Sequence, residues 1–215
     1  MQRAINRFPL LILTLLWIIF VALPIGNRGL WAPDEPRYLQ VAWEMERSGS
    51  YLVPVMNGEI YAEKPPLFFW LTILLSKITP IETASRWVSA LASLGILLLT
   101  VKLGELAGNR MLGLGAALIV MTSSLFALLM YTGNIDTTLT FLTTLSLYWF
   151  IRWELSSRSI FLVLAYAACG VGILAKGPVA LIIAWLPYGV WEISKKFRGE
   201  KASFLHLAWG PLVAL

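Results

Sequence analysis

Long apolar runs alternate with short polar breaks along the whole chain. Runs at roughly 9–26, 85–103, 111–132, 137–151, 160–175 and 178–193 approach the roughly 20 residues that cross a bilayer core, and a seventh starts near 203. The apolar stretch from Leu67 to Ile78 is about a dozen residues, a length that suits an interfacial or re-entrant helix. Between the first two runs lies an outer loop of about residues 27–84. Within it Tyr38, Val41, Ala42 and Met45 recur at helical spacing, with Arg37, Gln40, Glu44 and Arg47 on the other face. This pattern predicts an amphipathic helix lying on the membrane, begun near Pro36 and ended by Ser48-Gly49. The expected fold is all-α: a polytopic transmembrane helix bundle with amphipathic juxtamembrane helices in its first outer loop.

Composition agrees with the pattern. With 58% hydrophobic and 13% charged residues and a mean hydropathy of +0.74, the chain is an integral membrane protein and not a soluble domain. Its formal charge of +5 is read as loop charge that sets orientation, so no nucleic acid is expected. With Leu67–Ile78 not spanning, the inner side collects ten basic residues (Arg3, Arg7, Lys102, Arg110, Arg152, Arg158, Lys195, Lys196, Arg198, Lys201) against four acidic ones, and the outer side holds seven basic and eight acidic. A spanning Leu67–Ile78 would turn the cluster Lys195-Lys196-Phe197-Arg198 outwards, against the positive-inside bias. The first run, with Arg3 and Arg7 before it and no clear cleavage site, reads as a retained signal anchor. The single cysteine, Cys169, excludes an intrachain disulfide. His206, Trp31, Trp70 and Trp87 read as interfacial or packing residues.

This topology gathers four polar insertions on the outer face. Asp34 and Glu35 precede a helix, where either serves as a cap. Lys64, stiffened by Pro65-Pro66, suits headgroup anchoring. Asp136 stands at a helix start, and Lys176-Gly177-Pro178 reads as a helix stop. Each has this local explanation, yet together two carboxylates and two lysines at one lipid surface suit chemistry on a lipid phosphate. Fixed cations at Lys64 and Lys176 would stabilise charge left on a polyprenyl phosphate. A carboxylate, Asp34 first and Asp136 second, would accept an acceptor's proton as general base.

At these residues the chain resembles a known family. Pro33-Asp34-Glu35-Pro36-Arg37-Tyr38, Tyr61-Ala62-Glu63-Lys64-Pro65-Pro66-Leu67, Asp136-Thr137-Thr138-Leu139 and Leu174-Ala175-Lys176-Gly177-Pro178 look like the bacterial aminoarabinose transferases and protein-mannosyltransferase-like enzymes. These are polyprenyl-phosphate-sugar-dependent glycosyltransferases of the membrane GT-C fold. The resemblance implies inverting sugar transfer at the periplasmic face of the bacterial inner membrane, from a polyprenyl-phosphate-linked donor to a lipid, glycan or protein acceptor. It implies Asp34 as the catalytic aspartate, Lys64 and Lys176 on the donor phosphate, and Asp136 at a further cavity position. Arg37 and Arg86 are further phosphate candidates, and Tyr38, Tyr61 and Glu63 cavity residues. Glu63 matches a carboxylate that can hold a divalent metal in such enzymes, although Lys and Arg can supply the charge and no cofactor is required. Family members continue through more helices to a C-terminal periplasmic domain. The expectation for residues 1–215 is therefore the N-terminal transmembrane glycosyltransferase domain, with that periplasmic domain absent. Two other classes stand against this: a lipid-linked sugar flippase or transporter, which calls for charge at the bundle midplane where the sequence has essentially none away from the ends, and a non-catalytic polyprenyl-phosphate-binding subunit, which the sequence leaves open.

Overall fold

The computed structural model describes residues 8–199, and these fold as helices in two compact units, one running to Thr138 and one from Leu139. Arg3, Arg7, the run near 203 and His206 lie outside the described residues. In the first unit, α1 (Phe8–Trp17) continues into a π-helical turn (Ile18–Ala22). The outer loop supplies α2 (Asp34–Ser48), a two-stranded hairpin (β1 Val55–Met56, β2 Glu59–Ile60) and α3 (Leu67–Ser76). Helix α4 (Ile81–Leu106), then α5 (Arg110–Thr122) and α6 (Ser124–Tyr131) follow. Helix α7 (Ile135–Ser156) begins in the first unit and runs into the second, which adds α8 (Ser159–Lys176) and α9 (Val179–Phe197).

The amphipathic helix expected in the loop is present. Tyr38, Val41, Ala42 and Met45 are buried, and they pack with Tyr61, Phe68, Phe69 and Ile73, so α2 and α3 share one small core. Acidic residues open α2, Arg47 stands in its last turn, and the chain leaves it through Gly49, an arrangement that complements the macrodipole. Glu44 accepts the amides of Asn57 and Gly58 at 2.8 and 3.1 Å and so ties the hairpin to α2. At ten residues α3 is too short to cross a bilayer, as its length in the sequence suggests.

A second core joins α1, α4 and α5 through Leu13, Trp17, Val21, Leu97, Val101, Leu114 and Ala117. Helices α4 and α5 approach closely at Gly104 and Gly113, where a Cβ on Gly104 would stand 2.3 Å from the Gly113 Cα. Asn109 caps α5, its side chain accepting the Leu112 amide at 3.0 Å.

One expectation is corrected. The single span over 111–132 is two helices, α5 and α6, meeting at 73°. The break falls in Thr122-Ser123-Ser124: Thr122 and Ser123 hydroxyls donate to Leu118 and Val120 carbonyls at 2.9 and 2.8 Å, and Ser123 takes extended backbone angles. Short hydroxyl side chains compete with the helix ladder in this way. By length and apolarity Ile81–Leu106 and Ser159–Lys176 qualify as spans, and the bent pair makes a third if it crosses as one. Helices α7 and α9 have the length, but threonines and serines in α7 and charges in α9 dilute their apolar character.

In the second unit Phe150, Leu162, Tyr166, Cys169, Ala184 and Tyr188 form the core, with Phe150 stacked on Tyr188 at 4.3 Å. Lys176 ends α8, and Gly177 follows at φ 77° and ψ −162°, a conformation open to glycine alone, before Pro178 leads into α9. The helix stop read from Lys176-Gly177-Pro178 is present.

Candidate active site

The first turn of α2 carries the accessible carboxylate. Asp34 is a helical residue and not the cap: Pro33 holds the cap position and no side chain caps the helix. The Asp34 side chain is 40% exposed, and its Oδ1 accepts from Arg37 Nη2 at 2.5 Å, one turn on. Arg37 reaches further, with Nη1 3.6 Å from Glu63 Oε2, and its guanidinium lies over the Tyr38 ring at 5.3 Å. Glu63 Oε2 also accepts from the Tyr61 hydroxyl at 3.2 Å. Asp34, Arg37, Glu63 and Tyr61 therefore form one continuous polar chain, with Tyr38 beneath Arg37. The hairpin achieves this, since the Tyr61 amide donates to Pro54 O at 2.8 Å and turns the 61–64 segment back towards α2.

The electrostatics of this chain keep its phenols protonated. Burial, then the adjacent Glu63 charge, hold Tyr61 up at about 12 against the opposing pull of Arg37. Burial is also the main cause raising Tyr38, with the Asp34 and Asp136 carboxylates adding to it. Asp34 and Asp136 thus both act on the Tyr38 hydroxyl. Both phenols are hydrogen-bond donors at neutral pH. The Arg37 Nε is buried and has no acceptor among the described residues.

Arg86 takes a different place from the one its charge suggested. It is 1% exposed, and its guanidinium donates to Glu35 at 3.1 and 3.3 Å and to the carbonyls of Ile25, Arg28 and Gly29 at 3.2, 3.1 and 2.9 Å. Its donors are spent on the protein, so it holds the loop and presents nothing to a lipid phosphate. Its partner Glu35 is the residue sequence reasoning missed. Also 1% exposed, Glu35 takes Arg28 at 2.9 and 2.6 Å, the Trp31 amide at 2.6 Å and the Gly133 amide at 2.8 Å. Burial pulls its carboxyl up, yet hydrogen bonds from Arg28, Trp31, Gly133 and Arg86 outweigh it and hold the group down at about 2. A sequence signal existed: a lone arginine inside an apolar helix calls for a buried acid.

This hub fixes the far wall of the site. Besides Gly133, it engages Tyr131 O through Arg28 at 2.7 Å. Ser89 on α4 donates to Asn134 O at 3.0 Å and accepts the Asn134 amide at 2.8 Å, and a Cβ on Gly133 would stand 2.4 Å from Ser85 Oγ. Asn134 Oδ1 in turn accepts the Asp136 amide at 2.6 Å, so Asn134 serves the start of α7 and Asp136 lies in its first turn.

Lys64 is partly exposed and makes no ion pair or hydrogen bond with any described residue. Lys176 belongs to the second unit, at the end of α8. Of the tryptophans, Trp31 is 57% exposed, Trp70 donates to Tyr51 O at 2.6 Å and Trp87 packs on the α1–α4–α5 core. Among the described residues no three His, Cys, Asp or Glu side chains gather as a metal-holding group, and the polar neighbours of Glu63 are Arg37 and Tyr61.

The sequence profile of the dolichyl-phosphate-mannose-protein mannosyltransferase family matches residues 7–210. An undecaprenyl phosphate-alpha-4-amino-4-deoxy-L-arabinose arabinosyl transferase of Pseudomonas savastanoi pv. phaseolicola is 31% identical over 82% of this chain and 34% of its own length. A second enzyme of that name, from Pseudomonas fluorescens, is 31% identical over 98% of this chain and 39% of its own. The chain thus spans well under half the length of these curated relatives. Crystal structures of ArnT from Cupriavidus metallidurans, in the apo state and bound to undecaprenyl phosphate, match with TM-scores of 0.76 and 0.74 at 24% identity. They cover 100% and 99% of this chain and 40% and 39% of theirs, and the membrane fold is shared.

Proposed function

The chain belongs to the dolichyl-phosphate-mannose-protein mannosyltransferase family, and from that premise we propose that it forms the catalytic membrane part of an inverting glycosyltransferase that moves a sugar from a polyprenyl phosphate to an acceptor hydroxyl. The observation that carries this reading is the accessible Asp34 carboxylate, joined through Arg37 to Glu63 and Tyr61 and followed in the chain by Lys64, which has no partner among the described residues. Asp34 accepts the acceptor's proton as the acceptor oxygen attacks the anomeric carbon. The bond from that carbon to the phosphate oxygen breaks, and the electron pair leaves on the polyprenyl phosphate. Lys64 and the Arg37 guanidinium supply the positive charge that this leaving group meets. Asp136, in the first turn of α7 within the same unit, is the second candidate for the base. The reaction so drawn takes its charge from side chains and requires no metal; a divalent ion would find one ligand in Glu63. The site faces the periplasm from the bacterial inner membrane, in keeping with the charge asymmetry of the loops.

Two measurements test this reading. Lys64→Ala is expected to weaken undecaprenyl-phosphate binding by about 1.5 to 3 kcal/mol, the range for hydrogen bonds to charged groups. Binding at the parental affinity would return Lys64 to headgroup anchoring. Single cysteines at positions 64 and 176, in a Cys169→Ala background, are expected to react with a membrane-impermeant thiol reagent in spheroplasts. Labelling only after permeabilisation would turn the site to the other face.

A further inference from the structure

Beside Asp34 the first unit holds a cleft of about 170 Å³ that Asp34 helps to line. The segment from Trp31 to Glu35 forms one wall, and Leu128, Leu129 and the linker Thr132–Asn134 form the other. Most polar groups here are occupied: Glu35 is saturated by the hub, and the Thr132 hydroxyl donates to Leu128 O at 3.2 Å. Three groups keep free capacity among the described residues. Asp34 Oδ2 has no partner, since Arg37 takes Oδ1. The Asn134 side-chain NH₂ has no acceptor, since Asp136 engages only Oδ1. The Trp31 indole is 57% exposed, and its N–H has no acceptor.

We propose that this cleft is the acceptor subsite and that it takes a sugar ring, with Trp31 and Asn134 as the residues that select and orient it. The inference rests on Asp34 acting as the base. An exposed indole offers an apolar plate to the C–H face of a pyranose, while one free amide donor and one free carboxylate oxygen match the alternating acceptor and donor character of ring hydroxyls. The space is well below the roughly 300 to 1,000 Å³ of clefts that enclose drug-sized ligands, and it fits one ring better than an extended peptide. The selected hydroxyl gives its proton to Asp34 Oδ2, its oxygen bonds to the donor's anomeric carbon, and the polyprenyl phosphate departs with the electron pair of the broken bond. Leu128 and Leu129 give the cleft an apolar wall, as suits an acceptor sugar that arrives on a lipid.

The test uses the protein in nanodiscs and saturation-transfer NMR with soluble probes: methyl glycosides of glucose, glucosamine and arabinose, against N-acetyl-serine amide. At least one glycoside is expected to bind and the serine amide not to. Trp31→Ala should weaken that glycoside at least tenfold, with partial recovery in Trp31→Phe; the backbone N–H that Glu35 accepts is kept in both. Asn134→Asp retains the oxygen that serves Asp136 and removes the amide donor, so it should weaken the glycoside while leaving the helix start intact. Undecaprenyl-phosphate binding, measured in parallel, should be unchanged in all three variants. Preference for the serine amide, no bound glycoside, or glycoside binding indifferent to Trp31 and Asn134 would each overturn the acceptor assignment while undecaprenyl-phosphate binding persists. Loss of undecaprenyl-phosphate binding in the parent protein would instead mark failure of the donor reading.

Discussion

Asp34→Asn is expected to lower sugar transfer by about 10² to 10⁴ fold, the contribution of a positioned general base, while leaving the fold and donor binding in place. The amide keeps an oxygen that accepts from Arg37 Nη2, and Asp34 makes no cap bond to lose. The structural cost is the charge at a helix start, about 0.3 to 1 kcal/mol. What the amide cannot do is take a proton. Transfer kinetics with saturating donor, beside undecaprenyl-phosphate affinity and thermal unfolding, separate these effects. Transfer at the parental rate in a folded, donor-binding variant would move the base to Asp136.

The second large effect concerns Glu35. Glu35→Gln leaves the fully buried Arg86 and its neighbour Arg28 without their counter-charge, and removing one partner of a buried pair costs about 3 to 5 kcal/mol. A fall in unfolding temperature and a loss of transfer are expected together. The pH dependence has a defined sign. Held at about 2 in the fold, against an ordinary 4.5, Glu35 contributes stability that is complete above its unfolded value and is lost as pH falls from about 4.5 towards 2. Thermal unfolding followed from neutral pH down to about 3 should show this loss in the parent and its absence in Glu35→Gln. Equal stability of the two proteins at neutral pH would contradict a role for the hub in holding the site.

Much of the architecture was legible because its signals are local. Apolar run length gave the helices, the 3.6-residue spacing of Tyr38, Val41 and Met45 gave the buried face of α2, and Lys176-Gly177-Pro178 gave the end of α8. The bend at Ser123 was hidden because hydropathy does not register hydroxyls that bond back to the helix they interrupt. Asp34 stood out from its place at a helix start on the outer face, whereas Arg37, Tyr38, Tyr61 and Glu63 came from motif resemblance, and the hairpin that joins them is a matter of two strand pairs no composition could give. Glu35 and Arg86 were misread for a related reason. Fifty-one positions apart, they are partners only in three dimensions, and side-chain charge alone does not say whether an arginine meets a ligand or a buried acid.

Gly133 gives the site an unusual vulnerability. Its amide proton is held by Glu35, its neighbour Asn134 is clasped by Ser89, and the space where its side chain would stand is filled by Ser85. Selection acting on sugar transfer would therefore reach a residue that has no functional group at all. Replacing this hydrogen by a methyl would require position 85 to give way. The heritable determinants of the reaction extend, through one backbone N–H, to a place where a catalogue of reactive side chains would find nothing.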